Sequence, residues 1–155
     1  MSLKKELARK IYRHAEHTFP EESCGYLVGD YNYGIYNVEK IFPVDNSQDE
    51  NRSRRFLITP KQYLQAERIA SENGMELLGF YHSHPDHPAV PSAFDTEHAL
   101  PHFVYIIASI MSGRAKNMRA WKLAGTRERF IELDLQPGKT EGEYTELAEY
   151  RREGA

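Results

Sequence analysis

Histidines are concentrated in one stretch of this sequence. Five of the seven lie between positions 82 and 102, where an even distribution would place about one. His82 and His84 are two residues apart at the end of an apolar segment. In an extended strand, side chains at this spacing point to the same face. The spacing therefore predicts a pair of imidazoles that can bind one metal ion.

A third ligand is available a short distance along the chain. The segment Ser92-Ala93-Phe94-Asp95 follows a proline-rich loop, and Asp95 can offer a carboxylate from the first turn of a helix. Two imidazoles and a carboxylate match a catalytic zinc site that leaves its fourth position to a water of lowered pKa. On ligand count alone, a non-haem iron oxygenase uses the same set. Taken alone, Ser92 and Asp95 would also fit an ordinary helix start.

Hydrolysis at such a site also needs a general base. The best candidate is Glu22, which lies just before a glycine-bounded apolar run that starts at Cys24. Cys24 is the only cysteine, so it can form neither an intrachain disulfide nor a cysteine-rich zinc site, and we expect it to be a small buried residue. The HExxH motif of the zincins and the cysteine pair of the nucleobase deaminases are absent from the sequence, which excludes both of those classes.

Together these residues resemble the signature of the JAMM (MPN+) zinc metallopeptidases. The run HSHP at 82–85, seven further residues and SxxD at 92–95 resemble the metal-binding motif of that family. Residues 20–29 resemble its upstream segment, in which the catalytic glutamate lies three residues before a glycine, and this register selects Glu22 rather than Glu21. The resemblance implies that His82, His84 and Asp95 bind one zinc ion per chain. It also implies that Glu22 is the base and that Ser92 stabilises the oxyanion.

The resemblance further implies a substrate class. The chain has little beyond a catalytic domain and is similar to the stand-alone prokaryotic members, which act on ubiquitin-like and small sulfur-carrier proteins ending in Gly-Gly. We therefore expect hydrolysis of the bond after the terminal Gly-Gly of a ubiquitin-like or ThiS/MoaD-like partner. The alternative is a non-catalytic MPN-type interaction module. Such a module would be expected to lack a ligand or the base, and this sequence retains all of them.

The order of predicted elements indicates the fold class. An amphipathic pattern over 3–17 predicts a first helix, Thr59-Pro60 begins a second that ends near Gly74, and Ser92 begins a third. The predicted strands cover 24–29, 35–44, 76–82, 103–110, 118–123 and 129–135. This order predicts an α+β (mixed α/β) fold with a central, mostly antiparallel sheet flanked by helices. The resemblance implies the cytidine-deaminase-like MPN/JAMM fold.

Length and composition limit the remaining possibilities. The 155 residues include 20 Lys and Arg and 23 Asp and Glu, for a net charge of −3, and 40% of them are hydrophobic. We expect one catalytic domain over 1–135 and a charged tail over 136–155 that is either a short helix or frayed. The near-neutral charge argues against a nucleic-acid partner, and no apolar run approaches the roughly 20 residues that a membrane helix needs. With one cysteine and no secretory signal, we expect a cytoplasmic protein.

Overall fold

The structure is a computed structural model, and it describes residues 1–44, 58–125 and 129–137. Within these ranges the chain forms three helices and eight strands. The helices are α1 (Lys5–Thr18), α2 (Pro60–Glu72) and α3 (Ala93–His98). The strands are β1 (Ser2–Leu3), β2 (Cys24–Asn32), β3 (Ile35–Val44), β4 (Glu76–Pro85), β5 (Val104–Met111), β6 (Arg114–Leu123), β7 (Phe130–Leu133) and β8 (Gln136–Pro137).

All eight described strands belong to one sheet, in the order β7-β6-β5-β4-β2-β3-β1-β8. The pairs β2·β3, β2·β4, β5·β6 and β6·β7 are antiparallel, whereas β4·β5, β1·β3 and β1·β8 are parallel. Strand β4 lies in the interior of the sheet, and every residue after Glu76 in it is buried. The predicted mixed α/β class with a mostly antiparallel sheet is confirmed.

The helices cover the two faces of the sheet. Helix α1 buries Leu7, Ile11 and Tyr12 in a core cluster that includes Tyr81, as expected from apolar residues at helical spacing. Helix α2 packs on the opposite face through Ala66 and Ala70. A central strand covered on both sides is apolar throughout rather than alternating, which explains the continuous apolar run before His82.

The ends of several elements differ from the sequence-based expectation. The first helix begins at Lys5, because Ser2 and Leu3 pair with β3 and β8 as an additional strand. Strand β6 begins at Arg114 rather than 118, because Ser112 and Gly113 adopt positive φ angles and make a tight turn from β5. The tail expected over 136–155 starts with strand β8, and the helix suggested for it lies outside the described residues.

Gly79 allows strands β4 and β5 to approach closely, three residues before His82. It pairs with Val104, and a Cβ added at Gly79 would overlap the carbonyl oxygen of Val104. We expect Gly79→Ala to lower the free energy of unfolding by at least about 1–3 kcal/mol, as overpacking does. The matched control is Gly125→Ala, where an added Cβ meets no atom of the described residues within 4 Å. Urea unfolding should leave that control within about 0.5 kcal/mol of wild type, and equal losses in both variants would contradict the role given to Gly79.

Candidate metal centre

The end of strand β4 brings the two predicted imidazoles together. His82 and His84 lie on the same face of the strand, and their Nε2 atoms are 3.2 Å apart. Both side chains are buried, with His82 3% and His84 7% exposed. The carboxylate of Asp95 lies across them, with Oδ1 3.2 Å from Nε2 of His82 and Oδ2 3.1 Å from Nε2 of His84. The three predicted ligands therefore converge on one point.

These distances fit a tetrahedral metal ion. Zinc binds imidazole nitrogen and carboxylate oxygen at about 2.0–2.1 Å, which places neighbouring ligand atoms of a tetrahedron about 3.3–3.4 Å apart. The observed separations of 3.1 and 3.2 Å are close to that edge length. His82, His84 and Asp95 form the metal-binding group found among the described residues, with all ligand atoms within 4.8 Å of one another. The residues present therefore fit the zinc ion that the resemblance implies.

Asp95 is oriented by the start of helix α3. Ser92 is the N-cap, its Oγ accepts a hydrogen bond from the Asp95 N–H at 3.1 Å, and Asp95 Oδ2 accepts one from the Ser92 N–H at 2.8 Å. This reciprocal capping box satisfies two free donors of the helix. It also holds the carboxylate towards the two histidines. The ordinary capping role of Ser92 and Asp95 and the predicted ligation are thus compatible in one geometry.

His84 is oriented by the loop that follows β4. Its Nδ1 lies 2.8 Å from the carbonyl oxygen of Pro88. Since a carbonyl oxygen can only accept, Nδ1 must carry a proton. Nε2, which lies beside Asp95, is therefore the nitrogen at which a metal ion would bind, in place of the proton that it donates to Asp95. Pro88 was not among the residues predicted for the site. Its contribution is a backbone oxygen, for which the residue type gives no signal.

Glu22, the candidate base, lies close enough to the metal-binding group for His82 and Asp95 to affect its pKa. Cys24 pairs with His82 in the antiparallel ladder, and the Ser83 N–H donates to the Ser23 carbonyl, so the same register brings Glu22 opposite His84. Glu22 is 6% exposed, and burial raises its pKa to about 7 against the opposing effect of His82. A dication bound nearby would lower this pKa again. The neighbouring residue Glu21, in contrast, is exposed to solvent.

The electrostatics of the group favour an ionised Asp95. Burial by itself would raise the pKa of Asp95, but the charge and hydrogen bond of His82, with further hydrogen bonds from His84 and Ser92, hold it well below its usual range. For His82, burial would lower the pKa, yet the carboxylates of Asp95 and Glu22 outweigh burial and raise it. The buried pocket thus carries a negative potential that favours a cation.

Cys24 is fully buried and has no disulfide, as predicted. It occupies the β2 position beside His82, so a larger residue there would press on the metal-binding group. A small residue at this position agrees with the expected packing role.

His98 lies on helix α3, one turn after Asp95. Its Nδ1 contacts the Phe94 carbonyl oxygen at 2.9 Å, and its ring stacks on Phe94.

Apolar surface adjoins the metal-binding group. A cavity of about 60 Å³ is lined by His82 and Asp95 together with apolar side chains that include Ile58 and Leu100. Ile58 and Leu100 also line a more open groove of about 490 Å³ between the start of α2 and the segment after α3. Leu64 in this groove is 66% exposed. The site therefore opens beside an apolar surface rather than a charged one.

The fold and the donor set define a mixed α/β domain with a two-histidine, one-aspartate metal-binding group. The family model for prokaryotic homologues of the JAB domain (Prok-JAB) matches residues 4–124, which include every predicted site residue. The chain belongs to this family, the stand-alone prokaryotic branch of the JAMM/MPN proteins. The family resemblance noted in the sequence is confirmed.

Two curated proteins are similar to the chain over its central part. One is a desampylase from Haloferax volcanii, 37% identical over 91 residues, which are 58% of this chain and 63% of that protein. The other is a probable TtuB-protein conjugate cleaving protease from Thermus thermophilus, 32% identical over 88 residues, which are 57% of this chain and 55% of that protein. The chain thus matches less than two thirds of the length of either relative.

Solved structures share the whole fold. A Salinibacter ruber protein is 37% identical, with a TM-score of 0.71 over 91% of this chain and 94% of its own. A Desulfitobacterium hafniense protein is 27% identical, with a TM-score of 0.77 over 92% and 96% of the two chains. A JAB1/MPN domain protein from Archaeoglobus fulgidus, 16% identical, has a TM-score of 0.59 over 90% of this chain and 100% of its own. The similarity to the Archaeoglobus fulgidus protein concerns the fold alone, and it confirms the predicted MPN architecture.

None of the helices in the described ranges combines the length and the apolar character that crossing a bilayer requires.

Proposed function

We propose that this protein is a zinc-dependent metallopeptidase that hydrolyses the bond after the C-terminal Gly-Gly of a ubiquitin-like or ThiS/MoaD-like sulfur-carrier protein. The observation that carries the proposal is the convergence of His82, His84 and Asp95 beside a second, buried carboxylate, Glu22. Three ligands can bind a metal ion without a further buried carboxylate, whereas hydrolysis of a peptide bond needs a general base beside the metal. The names of the two curated relatives, a desampylase and a conjugate cleaving protease, support a hydrolase of this kind.

Zinc held by His82, His84 and Asp95 would polarise the scissile carbonyl and make water a better nucleophile. Glu22 accepts a proton from the attacking water and then donates it to the departing amine, so the C–N bond breaks without releasing an amide anion. Burial of Glu22 raises its pKa towards neutrality, which suits a group that must both accept and donate. The Ser92 hydroxyl accepts from the Asp95 N–H and keeps its own proton to donate to the developing oxyanion.

A Gly-Gly tail, which the family resemblance implies, is compatible with a buried site. His82 and His84 are buried at the end of a covered strand, and an extended segment without side chains could bring its carbonyl to them. Glycine has no side chain to exclude it from such an approach. Main-chain hydrogen bonds would then supply affinity, and the folded body of the carrier would supply selectivity. The absence of a strong net charge leaves no reason to expect a nucleic-acid partner.

The test compares two carriers that differ only in the tail. Purified protein is incubated with a ubiquitin-like carrier extended beyond Gly-Gly and with the same extended carrier in which Ala-Ala replaces Gly-Gly, with and without a chelator, and intact masses are measured. We expect a single cut after Gly-Gly, no cut after Ala-Ala, and loss of cleavage with chelator. Equal cleavage of both carriers, or faster cleavage of unstructured peptides, would reject the carrier proposal and leave a general peptidase.

Ser92→Ala separates the oxyanion role from helix capping. The variant loses the cap, which costs about 1 kcal/mol of stability, and we expect turnover to fall by about 10²–10³ through loss of the oxyanion donor. The control is Thr59→Ala, which removes the matching capping box of α2 and changes none of the three metal ligands. Steady-state kinetics should leave that control close to wild type. Comparable turnover in Ser92→Ala and Thr59→Ala would show that Ser92 only caps the helix.

A further inference from the structure

Three consecutive carbonyl oxygens in the loop after β4 accept hydrogen bonds from side chains of three adjacent strands. The His87 oxygen accepts from Ser109 Oγ at 2.6 Å, and the Ala89 oxygen accepts from Trp121 Nε1 at 3.0 Å. Between them, the Pro88 oxygen accepts from His84 Nδ1 at 2.8 Å. The donors come from β5, β6 and β4, which are neighbours in the sheet. The loop thus lies on the sheet with its carbonyls turned towards it.

The two outer donors are built into the core rather than placed at the surface. Ser109 is fully buried and pairs with His84 in the parallel β4·β5 ladder. Trp121 is 8% exposed and belongs to the core cluster on the same face of the sheet. Donors fixed in this way lose little entropy when they bond, and a carbonyl left without one at a buried position is costly. They therefore fix the peptide units on either side of Pro88.

We propose that Ser109 and Trp121 are positioning residues for His84, and that they act on the metal site through the backbone of residues 87–89. By holding the flanking carbonyls, they keep the Pro88 oxygen in line with His84 Nδ1. That hydrogen bond keeps Nδ1 protonated and holds the imidazole so that Nε2 faces Asp95. This inference rests on the proposed function in taking His84 as a metal ligand, and it goes beyond it in assigning two residues that touch neither metal nor substrate.

A packing role and a positioning role for Ser109 and Trp121 predict different results. A residue that merely fills the core would affect stability and leave the imidazole of His84 as it is. A residue that positions the Pro88 carbonyl also controls the hydrogen bond that this carbonyl accepts from His84 Nδ1. Outer partners of ligating histidines typically contribute about 10–100-fold to metal affinity. Ser109 and Trp121 bind the carbonyls on either side of Pro88 rather than His84 itself. We therefore expect each of them to contribute about tenfold to zinc affinity, the lower end of this range.

The experiment uses Ser109→Ala and Trp121→Phe, which remove the donors and keep much of the packing. The exchange of the His84 Nδ1 proton with solvent is measured by ¹⁵N–¹H spectroscopy of the metal-free protein, and zinc affinity is measured by competition with a chelator. We expect a slowly exchanging Nδ1 proton in wild type, faster exchange in both variants, and zinc affinity about tenfold weaker. Ser109→Thr retains a hydroxyl donor, and it should restore both readouts.

Leu123→Val is the control for lost volume, because Leu123 packs in the same cluster on the same strand as Trp121. It should lower the unfolding temperature and leave both the exchange of the His84 Nδ1 proton and the zinc affinity unchanged. Unchanged exchange of this proton in Ser109→Ala and Trp121→Phe, or an equal affinity loss in Leu123→Val, would overturn the inference. Wild-type protein that binds no zinc would instead contradict the proposed function, and the exchange measurement on metal-free protein would still decide the positioning role.

Discussion

Glu22→Gln is expected to retain zinc and fold while losing turnover by about 10²–10⁴, the contribution of a positioned general base. Glutamine is nearly isosteric with glutamate, and Glu22 lies outside the group of three ligands. Its amide can neither accept a proton from water nor pass one to the departing amine. Because burial of the charged form is unfavourable, the neutral amide should not reduce stability. Zinc content by elemental analysis, thermal unfolding and turnover on an extended carrier are measured together.

The matched control for this prediction is Glu21→Gln. Glu21 is the adjacent residue and has the same side chain, but it is exposed and lies one residue before the position that the ladder register places opposite His84. We expect turnover within a factor of a few of wild type. If Glu21→Gln were the inactive variant and Glu22→Gln the active one, the base would be misassigned by one residue.

Much of the metal-binding group could be predicted because its ligands obey short-range rules. His82 and His84 share a face through the two-residue period of a strand, and Asp95 is tied to Ser92 by the three-residue spacing of a capping box. Thr59 and Pro60 likewise mark the start of α2 where the structure has it. Each of these features depends on neighbours in sequence, so a single sequence contains the information.

The features that were not predicted depend on contacts between distant residues. Strand β1 consists of Ser2 and Leu3 alone, which is too short to show any period, and it exists because β3 and β8 flank it. The acceptor for His84 is a main-chain oxygen of Pro88, and its neighbours are held by Ser109 and Trp121 from 22 and 32 residues away. Residue type does not indicate such partners. The raised pKa of Glu22 likewise follows from burial, which the sequence does not state.

His84→Ala is expected to abolish both zinc binding and activity. The variant removes one of three protein ligands, and the two that remain cannot complete a stable tetrahedral site. Its fold should persist, because Asp95 keeps its contact with His82 at 3.2 Å and its hydrogen bond from the Ser92 N–H. The loss of activity therefore reports on the metal rather than on unfolding. Elemental analysis, thermal unfolding and turnover should be compared with chelator-treated wild type, which should be equally inactive.

The matched control is His87→Ala, three residues further along the chain in the loop after β4. The His87 side chain is exposed and lies outside the metal-binding group. Its contact with Ser109 is made by the main-chain oxygen, which alanine retains. We expect about one zinc per chain and near-normal turnover in this variant. Retention of zinc by His84→Ala would show that His84 is not a ligand, and stoichiometric iron in wild type would reject zinc as the resident metal, because both metals accept two imidazoles and a carboxylate.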